Sequence, residues 1–123
     1  MAAATTSRRR NGSLVRDGES VLVVDDDEVL RSLLAVRLCR HELFVAASVS
    51  EAIEVLERET VDVIVSDYSM PAATGLSLLA YVRRRGLRAR FVLTSVNFPD
   101  GVEREARAAG AVSIDKGELV SLL

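Results

Sequence analysis

Residues 21–28 of the chain read VLVVDDDE, four apolar residues followed directly by four acids. The apolar part is too short for a helix and is rich in β-branched valine, which favours a strand buried on both faces. Four further apolar runs of similar length follow, at residues 43–47, 61–66, 91–94 and 111–114. These runs predict five strands of one parallel sheet.

Helical patterns fill the segments between these runs. The predicted helices begin near Val29, after an N-cap at Ser50, at Gly75 and at Pro99, and a stub of a fifth covers 118–123. Gly86 and Gly110 follow the third and fourth helices, where glycine commonly ends a helix. Strictly alternating strands and helices predict an α/β fold, a doubly wound five-stranded parallel sheet with the flavodoxin-like order 2-1-3-4-5 and a short last helix.

The composition limits the function classes. With 123 residues, 49% of them hydrophobic, the chain has room for one domain, which we place at residues 20–123. A net charge of −2 and an aromatic content of 4% argue against direct nucleic-acid binding. No apolar run is long enough to span a membrane, and residues 1–20 lack the apolar centre of a secretion signal, so we expect a cytoplasmic protein.

Single cysteine and histidine residues exclude several kinds of site. Cys39 has no partner for an intramolecular disulfide, and its apolar helical surroundings predict a core position. His41 is interpreted as a helix-end residue, since one imidazole does not make a metal site. Residues 1–19 are small, polar and basic and predict a disordered leader. The run of arginines at 8–10 is interpreted as a solvated tail rather than a nucleic-acid or lipid contact.

Acidic residues at two strand ends carry the functional prediction. The first strand ends in Asp25, Asp26, Asp27 and Glu28, and the third ends in Asp67. In the order 2-1-3-4-5 these strands are neighbours, so the carboxylates converge where ligands bind to such sheets. Their repulsion requires raised pKa values or a hard cation, and Mg²⁺ suits a few carboxylates together with water and phosphate. Capping of the following helix explains Asp27 or Glu28, but it does not explain Asp67.

Two more groups are expected at the same edge of the sheet. Thr94 ends the fourth strand with a hydroxyl group, and Lys116 follows the fifth strand with a flexible ammonium group. A carboxylate nucleophile, a cation site and groups that neutralise phosphoryl oxygens are the requirements of phosphoryl transfer.

Over residues 20–117 the sequence resembles the receiver domain of two-component response regulators, of the chemotaxis-regulator type. The matching elements are VLVVDDDE at 21–28, VDVIVSDYSMPAATG at 61–75, RFVLTSV at 90–96, AAGA at the end of the fourth helix and IDK at 114–116. The acid pair, the aspartate followed by proline four residues later and glycine eight later, the threonine and the lysine occur in family order and spacing.

The resemblance implies a role for each site residue. Asp67 is the phosphoacceptor, and Asp26, Asp67 and the backbone carbonyl of Ser69 bind Mg²⁺ directly. Asp25 assists through water, Thr94 hydrogen-bonds the phosphoryl group and Lys116 pairs with it. The implied partners are a histidine kinase or phosphotransfer protein and an output protein, and the domain acts as an enzyme only on its own phosphorylation and dephosphorylation.

Departures from the family pattern lie after the fourth helix. Ser113 stands where the family usually has an aromatic residue, and Gly117 stands where it usually has proline. The connection from Gly110 to Lys116 is one residue short, and the last helix is short as well. We therefore expect little change of strand five on phosphorylation, and uncovered apolar surface that favours a homodimer or indicates a fragment of a longer regulator.

Two alternatives remain open. The first is a small hydrolase with an aspartate nucleophile. Such enzymes usually carry a second acid two residues later, and Ser69 at that position argues against this alternative. A receiver-like module that binds without phosphotransfer is disfavoured because all the acidic, hydroxyl and lysine positions are filled. Neither GxxxxGK[ST] nor GxGxxG follows the first strand, which argues against a nucleotide-binding enzyme.

Overall fold

The computed structural model describes residues 13–123, so the predicted disorder of residues 1–12 and the arginine run at 8–10 lie outside the described part. Five strands alternate with five helices: β1 Val21–Val24, α1 Glu28–Arg37, β2 Leu43–Ala46, α2 Val49–Arg58, β3 Val63–Asp67, α3 Gly75–Arg84, β4 Arg90–Ser95, α4 Val102–Ala108, β5 Val112–Asp115 and α5 Lys116–Leu119. A 3-10 turn at Val120–Leu122 follows α5. All strands are parallel in the order β2-β1-β3-β4-β5, which confirms the predicted fold class.

The register of the three central strands aligns the ends that carry the acids. Val24 of β1 pairs with Ser66 of β3, and the next residues along the two chains are Asp25 and Asp67. Asp67 in turn pairs with Thr94 of β4. Three predicted site residues therefore lie level with one another at the carboxyl edge of the sheet, before any side-chain contact is considered.

A hydrophobic cluster lies on each face of the sheet. One cluster joins the sheet to α2, α3 and α4, with residues such as Ala52, Leu78 and Ala106 fully buried. The other joins it to α1 and α5 through Leu34, Leu38 and Leu119. Within residues 13–123, no helix has the length and apolar character needed to cross a membrane.

The N-terminal segment, residues 13–19, is packed against the domain rather than separate from it. Val15 is 5% exposed within the same cluster as Leu119. The backbone N–H of Leu14 donates to the carbonyl of Leu122 at 2.8 Å, and Glu19 forms an ion pair with Arg90. The domain therefore begins before residue 20. The sequence predicts uncovered apolar surface beside the short α5, but this segment covers part of that surface.

Helix starts differ from the sequence prediction by a few residues. Ser48, not Ser50, is the N-cap of α2, because its hydroxyl accepts from the Glu51 N–H at 3.2 Å while the Glu51 carboxylate accepts from Ala47. Residues 99–101 form the turn before α4. At the other end, α5 begins directly after β5, because the Asp115 carboxylate caps it by accepting from the Gly117 N–H at 2.8 Å.

Cys39 is exposed, so its predicted core position is wrong. The buried positions beside it are Leu34 and Leu38, which are four residues apart and define the inner face of α1 and the turn that follows. Cys39 follows Leu38 by one residue, a rotation of about 100° that turns it away from the sheet. His41 lies at this helix end as predicted, and its ring Nδ1 is 3.0 Å from the Glu19 carbonyl.

Candidate functional site

Asp25 and Asp27 have different tasks although they are separated by one residue. The Asp25 side chain is nearly buried and accepts from the Asp27 N–H at 2.9 Å. The Asp27 carboxylate instead accepts from the N–H groups of Val29 and Leu30 and so caps α1. The capping explanation therefore holds for Asp27 and leaves the other carboxylates for a different use.

Three carboxylates converge at the carboxyl edge of the sheet. Asp25, Asp26 and Asp67 each place one oxygen within 4.8 Å of the others. Asp25 and Asp67 are buried, at 3% and 6% exposure, whereas Asp26 is exposed. The predicted convergence of acids from β1 and β3 is present, and Asp26 gives it an open side toward solvent.

Lys116 joins the two buried acids. Its ammonium nitrogen lies 3.0 Å from an oxygen of Asp25 and 3.0 Å from an oxygen of Asp67. The lysine is the first residue of α5, and its side chain is 19% exposed. One ammonium group and three carboxylates therefore share this edge of the sheet, which leaves a formal excess of two negative charges when all are ionised.

Thr94 and Ser69 are close to Asp67 through different groups. Thr94 is buried, and its hydroxyl donates to the Ser66 carbonyl at 3.5 Å rather than to the Asp67 carboxylate. The Ser69 N–H is 3.3 Å from one Asp67 oxygen, so the loop after β3 turns back over the acid. Thr94 thus lies at the predicted edge with its hydroxyl turned toward the backbone of β3.

Gly75 allows this loop to approach the strand closely. Its N–H donates to the Tyr68 carbonyl at 2.8 Å. A Cβ atom at Gly75 would lie 2.5 Å from the Asp67 carbonyl oxygen and 2.6 Å from a methyl group of Leu93. Any other residue here would push α3 away from the acid, which is the physical reason for a glycine eight residues after Asp67.

A family model described as "Response regulator receiver domain" matches residues 21–116. This chain belongs to the receiver domain family. Phosphorylation by a kinase is the general role of the family, and its members interact with histidine kinases or phosphotransfer proteins. The predicted function class, a receiver domain of two-component signalling, is thereby confirmed.

Individual relatives agree with the family match. The "Two-component response regulator ORR8" of Oryza sativa subsp. indica is 40% identical over 90 residues, which cover 68% of this chain and 74% of the relative. A protein-glutamate methylesterase/protein-glutamine glutaminase of Rhodospirillum centenum is 36% identical over 77% of this chain but only 25% of its own length. Receiver domains are generally not enzymes themselves, although some relatives of this chain, such as the methylesterase, are.

Solved receiver domains have the same architecture. The chemotaxis protein CheY4 of Vibrio cholerae superposes with a TM-score of 0.74 at 25% identity, covering 86% of this chain and 99% of that protein. The receiver domain of the Francisella response regulator 1452 gives a TM-score of 0.74 at 25% identity, over 85% and 92% of the two chains. The departures after α4 therefore leave the fold of the receiver domain intact.

The electrostatics of this receiver domain favour a bound cation. Burial raises the pKa of the Asp67 carboxyl, the hydrogen bond from Lys116 acts in the opposite direction, and the charge of Asp25 raises the pKa further. For Lys116, burial opposes the charged form, but the hydrogen bonds to Asp25 and Asp67 outweigh it and raise the pKa. The lysine is therefore an ammonium ion at neutral pH, and the carboxylates still repel one another.

The donor set fits Mg²⁺. Carboxylate oxygens are hard ligands, and Mg²⁺ is usually held by one or two of them while it keeps several waters. Asp26 and Asp67 supply such oxygens, and the exposure of Asp26 leaves room for water. The receiver domain family binds Mg²⁺ at an acidic pocket, which is the kind of pocket described here.

Arg31 is a site neighbour that the sequence reasoning missed. Its guanidinium Nη1 donates to the Asp25 carbonyl at 2.8 Å, which anchors the end of β1 to the first turns of α1. The only sequence signal is a basic residue six positions after the acid, a spacing with no general meaning. The contact is found only when the angle between strand and helix is known.

Proposed function

We propose that Asp67 is the phosphoacceptor of this receiver domain, phosphorylated by a partner histidine kinase or phosphotransfer protein. The observation that carries the proposal is the position of the Asp67 carboxylate, between the acids of β1 and the ammonium group of Lys116. A carboxylate oxygen of Asp67 attacks the phosphorus of a phosphohistidine. The P–N bond breaks, the imidazole nitrogen keeps the electron pair and takes up a proton, and an acyl phosphate remains on the aspartate.

Lys116 and Thr94 stabilise the phosphoryl group in this scheme. Lys116 already contacts Asp67, so its ammonium group is placed to neutralise a phosphoryl oxygen that extends from the same carboxylate. The Thr94 hydroxyl turns from the Ser66 carbonyl to the phosphoryl group. This costs little free energy, because the hydrogen bond to the carbonyl is long, at 3.5 Å. The domain thereby assists its own phosphorylation and the later hydrolysis of the acyl phosphate, and it acts on no other substrate.

Asp26, Asp67 and the backbone carbonyl of Ser69 would hold Mg²⁺, with Asp25 assisting through water. The bound ion supplies positive charge that offsets the charge of the phosphoryl oxygens and the repulsion among the acids. Two features support this assignment: the exposure of Asp26, and the Ser69 N–H contact that keeps this residue beside Asp67. Ser69 also occupies the place where a hydrolase would need a second acid, so the hydrolase alternative is disfavoured.

The test uses acetyl phosphate with Mg²⁺ and intact-mass measurement. We expect the wild-type protein to gain one phosphoryl group and Asp67→Asn to gain none. Asp27→Asn is the matched control, because it removes a charge from the same acidic run while asparagine still caps α1. Equal labelling of Asp67→Asn and wild type would show that another residue is the acceptor. Removal of Mg²⁺ with EDTA should slow labelling of the wild type and of the control alike.

The surface next to the acids supports a protein partner. Val29, Leu33 and Val36 are 77%, 49% and 73% exposed and lie on one side of α1, directly after the acidic run. Exposed apolar patches of this kind usually mark association sites. We expect a partner protein to dock there, and Leu33→Glu to abolish any homodimer seen by sedimentation velocity. The net charge of −2 and the aromatic content of 4% support an output partner that is a protein rather than nucleic acid or membrane, and we place the protein in the cytoplasm as part of the proposal.

A further inference from the structure

A cavity lies at the opposite edge of the sheet from Asp67. It has a volume of about 270 Å³ and lies where β4 and β5 begin, between the end of α3 and the N-terminal segment. Four arginines line it: Arg16, Arg83, Arg88 and Arg90. None of them has a part in the phosphorylation scheme.

The cavity carries an excess of positive charge. Among the described residues 13–123, Arg90 alone of the four arginines has a carboxylate within 4.0 Å, that of Glu19 at 2.6 Å. The nearby Asp62 carboxylate acts on Arg90 through its charge but accepts its hydrogen bonds from Ser20. Four guanidinium groups with the carboxylates of Glu19 and Asp62 nearby leave a formal charge of +2 around a space that is open to solvent.

Arg83 supplies a rigid donor. Its Nε donates to the Ala109 carbonyl at 2.9 Å, and its Nη1 donates to the carbonyls of Leu87 and Ala89 at 3.3 and 3.1 Å. Its Nη2 has no hydrogen-bond partner among residues 13–123 and lies 3.6 Å from where a Cβ on Gly110 would be. Gly110 lines the cavity, so an immobilised guanidinium group with unused N–H donors lies at its wall.

Only two of the four arginines, Arg83 and Arg90, have a structural role. Arg83 ties the ends of α3 and α4 to the start of β4, and Arg90 ties the N-terminal segment to the sheet. Arg16 and Arg88 are exposed and form no side-chain hydrogen bond within the described residues. Like charges gathered without such bonds cost free energy, and an anionic ligand would offset that cost.

Apart from Ser13, the remaining wall of the cavity is formed by apolar residues and Gly110. Val112 is 49% exposed, and Leu14, Phe91 and Val92 also line the space. A guanidinium group matches the geometry of phosphate oxygens through two parallel N–H donors. The size, the charge and the apolar wall together fit a small ligand with a phosphate group at one end and an apolar or planar body at the other.

We propose that this arginine cavity binds a small organic phosphate, at a site independent of Asp67. The phosphate is held by Arg16, Arg83 and Arg88, and the organic part contacts Leu14 and Val112. Because Arg16 and Leu14 belong to the N-terminal segment, the ligand also fastens that segment to β4 and β5.

The test is an amide-shift titration of the full chain in EDTA, with adenosine monophosphate as the probe and inorganic phosphate as the comparison. We expect saturable shifts at Leu14, Arg88 and 110–112, and at least threefold tighter binding of the nucleotide. Asp67→Asn should bind the nucleotide as the wild type does, which separates this site from the phosphoacceptor. Equal affinity for both probes would contradict the proposal that the ligand has an organic part. The absence of saturable shifts with both probes would contradict the proposal of a binding site.

A charge-matched pair of variants shows whether the cavity itself binds. Arg16→Ala/Arg88→Ala removes the two exposed arginines of the cavity, and we expect about a tenfold loss of nucleotide affinity. Arg84→Ala/Arg104→Ala removes the same charge from exposed positions outside it and should change affinity by less than twofold. An equal loss in both variants would mean general attraction of anions and would overturn the proposal. Thermal melts of all variants would check that each is folded.

Discussion

In two carboxylate–cation contacts of this receiver domain, folding shifts the pKa of the acid in opposite directions. Glu19 meets Arg90 through two hydrogen bonds of 2.6 and 2.8 Å, and this contact lowers the pKa of Glu19 from 4.5 to about 2. Asp67 meets Lys116 at 3.0 Å, yet the pKa of Asp67 is raised. The difference lies in the surroundings: within residues 13–123 Glu19 is the only acid in salt-bridge contact with Arg90, whereas Asp67 is buried and shares Lys116 with Asp25.

The comparison distinguishes a stabilising ion pair from a functional site. At Glu19 the charges balance, so the contact holds the N-terminal segment to β4. At Asp67 the acids outnumber the cation by three to one, and the fold retains carboxylates that repel one another. A bound cation relieves this repulsion, so the site responds to a change of charge, which is the property that a switch needs. The contact distance alone would not have separated the two cases.

Removing Lys116 should break the site most severely. Lys116→Met leaves Asp25 and Asp67 buried without a cation, and we expect the free energy of unfolding at pH 7 in EDTA to fall by about 3 kcal/mol. Added Mg²⁺ should restore a large part of the loss. Urea unfolding measures both values, and Arg104→Met at an exposed position of α4 is the control. A loss as small as that of the control would mean that the acids do not depend on the ammonium group.

Neutralising Glu19 tests the balanced pair. Glu19→Gln should lower the free energy of unfolding at pH 7 by about 1 to 2 kcal/mol, a moderate value because the Arg90 side chain is 39% exposed. The exposed Glu57 of α2 gives the control, Glu57→Gln, with an expected change of less than about 0.5 kcal/mol. Stability equal to that of wild type would show that the N-terminal segment is held by its apolar residues alone.

The same pair predicts a pH dependence with a definite sign. The folded pKa of Glu19, about 2, is lower than the unfolded value near 4.5. Its contribution is therefore complete above pH 4.5 and is lost as the pH falls from 4.5 toward 2. Unfolding curves between pH 6 and pH 3 should show Glu19→Gln losing less stability than the wild type over this range. Parallel losses in the two proteins would contradict the assigned pKa shift.

Neutralising Asp67 should have the opposite sign. In EDTA, Asp67→Asn removes one of the repelling charges while Lys116 still pairs with Asp25, so we expect a gain of about 1 kcal/mol at pH 7. Because the folded pKa of Asp67 is raised, its ionisation lowers stability as the pH rises above the unfolded value of 3.8. The gain should therefore vanish below pH 3.8. A loss of stability at pH 7 would place Asp67 with Glu19 as a stabilising acid.

The sequence predicts the acidic site better than the N-terminal segment, for a physical reason. Strand ends follow from apolar runs and sheet order, so Asp25, Asp67 and Thr94 could be placed at one edge without coordinates. The segment at 13–19 has only two adjacent apolar residues, Leu14 and Val15, which show no helical or strand period. Its burial depends on the space left by the short α5, and that space is a property of the folded sheet.

Side-chain direction was the other limit of the sequence reasoning. Thr94 was placed at the correct edge, but its contact with the Ser66 carbonyl follows from a rotamer that no motif encodes. The core position predicted for Cys39 is wrong because a run of apolar neighbours does not say which of them face the sheet. The contact between Arg31 and the Asp25 carbonyl has no sequence signal because it depends on how α1 crosses the end of β1.

The smallest expected effect concerns how phosphorylation reaches β5. Ser113 pairs with Leu93 on β4, beside the strand position of Thr94. An aromatic residue at this position would bury about 150–250 Å² and could follow the threonine when its hydroxyl turns to the phosphoryl group, but serine has too little surface to do so. We therefore expect the activating change to be carried by the loop after β4, and β5 to remain nearly as it is.

Amide shifts with and without beryllofluoride and Mg²⁺ measure this difference. We expect large changes around Asp67, at Thr94 and in residues 96–102, and small ones at Val112, Ser113 and Ile114. Lys116 is left out of the comparison because it contacts Asp67 directly. Ser113→Phe sharpens the test, because an aromatic side chain should enlarge the response of β5 while the site residues stay the same. Large shifts at 112–114 in the wild type would mean that another side chain, such as half-buried Ile114, transmits the signal in place of the aromatic residue.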